Sequence, residues 1–184
     1  PAYLRFGKAR VVPPAGAFLQ ATAAGEAALV HAMRRAVGGA QRVIDLFAGC
    51  GTFSLPCAET AEVHAVESVS EMLDALNKGW RQADGLKRVT VETRDLFRQP
   101  IRADELNRFD AAIIDPPRPG AAAQCDEIAK SALKTIGFVS CNPITFARDA
   151  KTLTDAGFVL DWIEVIDQFR WSTHVEIAAR FLRV

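Results

Sequence analysis

The residue with most chemistry to offer is Cys141. It lies in Ser140-Cys-Asn-Pro143, after an apolar run and before a segment of helical period. The thiol therefore stands between a strand end and a helix start. Free N–H groups and the macrodipole at a helix N-terminus favour thiolate, so the position predicts a reactive cysteine with a lowered pKa. Other motifs fall at comparable places. Asp45-Leu-Phe-Ala-Gly-Cys-Gly-Thr-Phe53 has glycines at 49 and 51, which let the chain turn tightly and approach a ligand closely. Glu67 comes 22 residues after Asp45 and closes the next apolar run, where a carboxylate can accept ribose hydroxyls. Ser54 replaces the third glycine of a dinucleotide fingerprint, which favours a nucleoside cofactor over NAD. Asp115-Pro-Pro-Arg-Pro-Gly120 puts a carboxylate before a backbone stiffened by prolines. His174-Val-Glu176 opens the final apolar run with both polar side chains on one face. Taken singly, each motif has a structural reading: a packed cysteine, a rigid turn, an edge-strand glutamate. Their convergence is the argument.

The elements that must position them follow from the hydrophobic period. Helical spacing runs over Ala17–Val37, through Phe18, Ala21, Leu29 and Met33, and stops at Gly38-Gly39. Short β-branched runs then alternate with helical ones. Strands are expected at Arg42–Phe47, Val63–Glu67, Val89–Thr93, Phe109–Asp115 and Thr135–Cys141; helices at Thr52–Thr60, Ser70–Ala83, Ala122–Lys134 and Asn142–Ala156. Such alternation means βαβ units and a parallel sheet covered on both faces. Two last strands, Phe158–Ile166 and Val175–Leu182, have no helix between them and must form a hairpin, with the final strand antiparallel to the rest. In an open α/β sheet, ligands bind beyond the carboxyl ends of the strands. The motifs above all fall at that edge, Asp95 among them, just past the third strand.

Composition narrows the class. The chain has 184 residues, 49% hydrophobic and 24% charged, as expected of one globular domain with a substantial core. Residues 1–16 read as a polar lead-in from a preceding region, and 17–184 as the domain. No apolar run reaches the roughly 20 residues of a membrane-spanning helix, and a cytoplasmic protein is expected. Lys+Arg and Asp+Glu both total 22, which argues against a grip on nucleic acid by bulk charge. Cys50, Cys57, Cys125 and Cys141 match no zinc or CxxC spacing, so no metal site is expected, and all but Cys141 read as buried thiols.

The DxFxGxG pattern with its acidic strand end resembles the class I S-adenosylmethionine-dependent methyltransferases. Asp115-Pro-Pro-Arg-Pro-Gly, Ser140-Cys-Asn-Pro and His174-Val-Glu together resemble the RNA uracil-C5 methyltransferases, which make 5-methyluridine in tRNA and rRNA. Phe18-Leu-Gln-Ala-Thr22 is similar to that family's FxQxN segment. The resemblance implies a Rossmann-like α/β fold, a mostly parallel seven-stranded sheet with an antiparallel C-terminal strand. It implies Cys141 as nucleophile and Glu176 as general base, with Gln20, Asp45, Phe47, Gly49, Gly51, Thr52, Glu67, Asp95 and Asp115 serving S-adenosyl-L-methionine, Asp95 toward the adenine. Thr22 and Thr52 depart from the family, which usually has Asn at both places. The family also carries an N-terminal RNA-binding module, sometimes with an iron–sulfur cluster, so RNA is the partner expected of the full-length protein and only weak RNA binding is expected of this domain.

The chemistry independently calls for this set. Uracil C5 attacks a methyl sulfonium poorly; a thiolate added at C6 makes C5 nucleophilic, and a base must then remove the C5 proton. Three alternatives remain at this point. A cytosine-C5 enzyme would place a second cysteine after the strand-four proline, where Arg118 follows instead. An amino-directed methyltransferase would not need Cys141. A module that binds S-adenosylmethionine without catalysis would need neither Cys141 nor Glu176.

Overall fold

A computed structural model describes residues 3–17, 20, 22–167 and 175–183. Seven strands form one sheet: β3 (Arg42–Leu46), β4 (Glu62–Glu67), β5 (Val89–Thr93), β6 (Ala111–Ile114), β7 (Thr135–Ser140), β8 (Phe158–Ile166) and β9 (Glu176–Arg183). Their spatial order is β5-β4-β3-β6-β7-β9-β8, and β9 runs antiparallel to both neighbours. The chain leaves β3 toward β4 and β5, then crosses to β6 on the other side of β3. That reversal opens a crevice between the carboxyl ends of β3 and β6, the usual ligand site of such sheets.

Successive side chains on a strand face opposite ways, and the central strands β3, β6 and β7 are buried on both faces, so each face builds a core. On one, Val43, Ala65, Ala111, Ile113 and Ala178 pack under α1 (Ala23–Ala36), α2 (Ser54–Cys57) and α3 (Ser70–Arg81). On the other, Ile44, Leu46, Ile114, Phe138 and Phe181 pack under α4 (Ala103–Leu106), α5 (Ala122–Lys130) and α6 (Pro143–Asp155). Phe138 meets Phe146 edge-on, with ring centroids 5.4 Å apart, which anchors α6 over β7.

Several element boundaries differ from the sequence reading, each for a local reason. α1 begins at Ala23, because Thr22 is its N-cap: the hydroxyl accepts from the Gly25 amide at 3.0 Å. Thr22 thus spends its side chain on the helix. The helix expected over Thr52–Thr60 shrinks to Ser54–Cys57, and that over Ala122–Lys134 ends at Lys130 with an extended Ser131. α4 spans one turn, too short to show a period. Phe18, Ala21, His174 and most of the loop before it lie outside the described residues.

The lead-in is the main correction. It contains a hairpin, β1 (Leu4–Phe6) with β2 (Ala9–Val11), and Phe6, Ala9 and Val11 are buried in the core beneath α3. The alternation of apolar residues around Gly7-Lys8 was the available signal. Gly79 on α3 makes the docking close: a Cβ there would lie 2.7 Å from Val11 Cγ2 and 2.9 Å from the Arg10 carbonyl oxygen. Gly79→Leu should therefore overpack this contact and lower stability by about 1–3 kcal/mol in urea denaturation. It should also speed tryptic cleavage at Arg5, Lys8 and Arg10. An unchanged midpoint and cleavage rate would mean that the hairpin is not part of the folded unit.

Candidate active site

The strand ends converge on a cavity of about 430 Å³. Gln20, Phe47, Gly49, Thr52, Glu67, Asp95, Asp115, Cys141 and Glu176 all line it. Two residues expected there stand behind the wall. Asp45 is fully buried under the β3 turn, where Ser54 Oγ donates to its Oδ2 at 2.5 Å. Gly51 is not among the lining residues, and it leaves no room for a side chain toward the helices: a Cβ there would sit 2.8 Å from Leu76 Cγ.

One side of the cavity is built by β3, β4 and β5. Phe47 ends β3 with φ of 63°, a left-handed conformation rare for a bulky residue. The turn sets its ring 5.5 Å from that of Phe97, in a tilted pair. Glu67 ends β4 and binds the turn in front of it: Oε2 accepts from the Gly49 amide at 3.1 Å, and Oε1 from the Ser68 and Val69 amides at 2.7 and 3.1 Å. Asp95 caps its own loop, with Oδ1 accepting from the Phe97 amide at 3.0 Å. That loop is braced by Arg94, which donates to the carbonyls of Gln99 and Pro100 and pairs with Glu92 and Glu105. Phe97 and Arg94 went unread in the sequence, because neither belongs to a short motif.

The other side is built by β6, β7 and β9. Ser140 pairs with Ile177, so one further step along the same register sets Cys141 opposite Glu176. Asp115 follows β6 on the neighbouring strand. The side chain of Asn142 caps α6 by accepting from the Ile144 amide at 3.0 Å and donates to the Arg118 carbonyl at 3.1 Å, tying Ser140-Cys-Asn-Pro to the proline loop. The other thiols, Cys50, Cys57 and Cys125, are buried, and only Cys141 is half-exposed.

The electrostatics are those of acids short of counter-ions. Burial raises the Asp45 carboxyl to about 7, against the Ser54 hydrogen bonds that lower it. Burial and the Glu176 and Asp45 charges raise Asp115 well above the carboxylate range. Burial raises Glu176. Cys141 reverses its expectation: burial, then Glu176 and Asp115, push the thiol up, and Arg118 opposes them only in part. Asn142 is the cap of α6, so Cys141 precedes the helix, and burial first, then the two carboxylates, decide the direction of its shift. Among the described residues, no group of His, Cys, Asp or Glu is arranged to hold a metal ion, and no helix is long and apolar enough to cross a membrane.

The model of the tRNA (uracil-5-)-methyltransferase family matches residues 11–183. An uncharacterized RNA methyltransferase of Rhizobium meliloti (strain 1021) is 52% identical over 174 residues, 95% of this chain and 42% of that protein. The 23S rRNA (uracil(1939)-C(5))-methyltransferase of Alteromonas mediterranea is 38% identical over 143 residues, 77% of this chain and 30% of that protein. The chain thus spans less than half the length of these relatives. Among solved structures, the Pyrococcus abyssi tRNA (uracil-54, C5)-methyltransferase, in complex with S-adenosyl-L-homocysteine, superposes with a TM-score of 0.82 at 25% identity, covering 98% of this chain and 44% of that one. The sheet order, its reversed last strand and these matches agree: the chain belongs to the tRNA (uracil-5-)-methyltransferase family.

Proposed function

We propose that this domain transfers a methyl group from S-adenosyl-L-methionine to C5 of a uridine in RNA, with Cys141 as nucleophile and Glu176 as general base. The observation that carries the reading is the β7–β9 register, which sets one half-exposed thiol against one largely buried carboxyl on a cavity wall. Membership of the family supports it.

The cavity suits the cofactor. Its volume of about 430 Å³ falls within the roughly 300–1,000 Å³ of ligand pockets. The Phe47 and Phe97 rings offer apolar faces for a purine, and Glu67 offers a carboxylate for ribose hydroxyls. Asp115 and, behind the wall, Asp45 with its unpartnered Oδ1 are pushed toward their neutral forms, and a cationic ligand would favour their ionised ones. Gln20, Gly49, Thr52 and Asp95 complete the surface. When bound, this cofactor supplies an electrophilic methyl on a positively charged sulfur.

The chain's own groups do the rest. Cys141 gives up its proton to solvent and adds as thiolate to C6 of the uracil, so that the electron pair of the C5–C6 bond moves to C5 and C5 can take the methyl. Glu176 then takes the hydrogen from C5; the C5–C6 double bond re-forms, the S–C6 bond breaks, and thiolate returns. A raised pKa makes Glu176 a better base near neutrality. The cost falls on Cys141, whose resting form is the neutral thiol. The target base must leave its stack to reach the crevice, and with a net charge of zero the domain alone holds RNA weakly.

Three outcomes are expected. The chain should trap RNA containing 5-fluorouridine as a denaturation-resistant adduct; Cys141→Ala should abolish both adduct and turnover. Glu176→Gln should transfer the methyl to ordinary uridine and then stall with the product still attached to Cys141. A denaturing gel with labelled RNA separates these cases, and an active Cys141→Ala variant favours amino-directed chemistry instead. Because the thiol is raised, the rate of adduct formation should still be climbing at the ordinary thiol pKa of about 8.5, whereas a plateau by neutral pH contradicts a neutral resting thiol. Finally, Glu67→Ala should weaken binding of S-adenosyl-L-homocysteine by about 1–3 kcal/mol in calorimetry; unchanged affinity would remove the ribose assignment.

A further inference from the structure

We propose that Thr145, Arg148 and Asp149 on α6 are positioning residues for the reaction: they clamp the loop of residues 115–121 in place beside Cys141. This rests on the reading of Cys141 as the nucleophile.

The geometry is a set of side chains from the start of α6 gripping successive backbone groups of that loop. Thr145 Oγ1 donates to the Arg118 carbonyl at 3.1 Å, beside the Asn142 amide that donates to the same oxygen. Arg148 Nη2 donates to the Pro119 carbonyl at 3.0 Å. Asp149, 1% exposed, accepts from the Ala121 amide at 2.7 Å through Oδ2 and from Arg148 Nε at 2.9 Å through Oδ1. Gly120 lets the two surfaces close: with φ of +81°, any Cβ there would lie 2.5 Å from Arg148 Nη2 and 2.6 Å from Asp149 Oδ2. Proline supplies no amide, so apart from the Gly120 amide's bond to the Pro117 carbonyl at 2.9 Å the loop's carbonyls at 118 and 119 and its Ala121 amide are held by the helix. None of the three side chains lines the cavity.

The clamp has a chemical consequence because of what its two ends carry. The loop carries Asp115 and Arg118; the helix follows directly on Cys141. The groups acting on the thiol are Glu176 from β9 and Asp115 and Arg118 from the loop. A loop free to drift would change the field on the sulfur and admit water to it, without touching the thiol itself. A displacement of about 1 Å far from the chemistry can cost roughly 100-fold in rate.

The test uses Thr145→Val, which keeps shape and loses the hydroxyl, Thr145→Ser, which restores it, and Arg148→Ala, at an exposed position. Three readouts are taken: melting temperature, kcat and KM for methyl transfer to RNA, and the pH midpoint of Cys141 alkylation by iodoacetamide. Thr145→Val and Arg148→Ala should each lower kcat about 10-fold or more at little change in KM. They should also move the alkylation midpoint down toward the ordinary thiol value, with Thr145→Ser near the parent on both. Affinity for S-adenosyl-L-homocysteine should hold in all three. A kcat and midpoint equal to the parent's in both loss variants overturns the clamp, as does a kcat loss that Thr145→Ser fails to restore. A parent chain that neither methylates uridine nor traps 5-fluorouridine overturns the underlying reading instead, and the alkylation midpoint then still decides whether the loop sets the state of the thiol.

Discussion

Everything at the Cys141 side of the cavity depends on the antiparallel pairing of β9 with β7. Inserting a reversed strand between β7 and β8 brings the start of β9, rather than its end, to the edge where all the parallel strands finish. Glu176 therefore enters the site as the first residue of its strand while Cys141 enters after the last residue of its own. Side chains alternate faces along a strand, so a slip of one residue would turn Glu176 to the other face and bury a polar side in the aromatic cluster. The packing of Phe181 against Phe138 and Phe146 opposes that slip. The apolar core under α6 thus does more than stabilise; it sets which carboxyl meets which thiol.

The second constraint is the crowding of acids. Asp45, Asp115 and Glu176 lie near enough to influence one another or to lose water together, and all three are pushed toward their neutral forms. A fold selected only for stability would have paired them with arginines. Two arginines of the region are committed elsewhere, Arg94 to Glu92 and Glu105 and Arg148 to Asp149, which leaves Arg118 as the remaining arginine on the cavity wall. What remains is a pocket in which three carboxyls and the Cys141 thiol are all pushed toward their neutral forms.

The strands and their order of function were legible because each carries a short β-branched run ending in an unusual residue. Val89–Thr93 and Phe158–Ile166 have the limits that the period indicates. Cys141, Glu176 and Asp115 were readable from motifs a few residues long. Less legible was anything built from distant, ordinary residues. Phe97 meets Phe47 across fifty positions, and Asp149 reaches Ala121 from another element. The hairpin at Leu4–Val11 was hidden by its brevity, and the helix at Thr22 by a threonine that reads equally well as a ligand or a cap. The direction of the Cys141 shift is not legible in a local pattern, because burial and the acids of neighbouring strands, set by the fold, raise the thiol one residue before the helix begins.

The turn at Phe47 adds a different kind of consequence. A non-glycine backbone held in the left-handed region carries roughly 1–2 kcal/mol of strain, and the surrounding turn, tied down by Glu67 through the Gly49 amide, holds it there. The two walls of the cavity are therefore kept in shape by opposite means. The wall of Cys141 rests on hydrogen bonds between α6 and the proline loop, while the aromatic wall rests on a left-handed residue whose turn a carboxylate holds. A ligand hydroxyl bound to Glu67 would therefore meet the same carboxylate that holds the turn carrying Phe47.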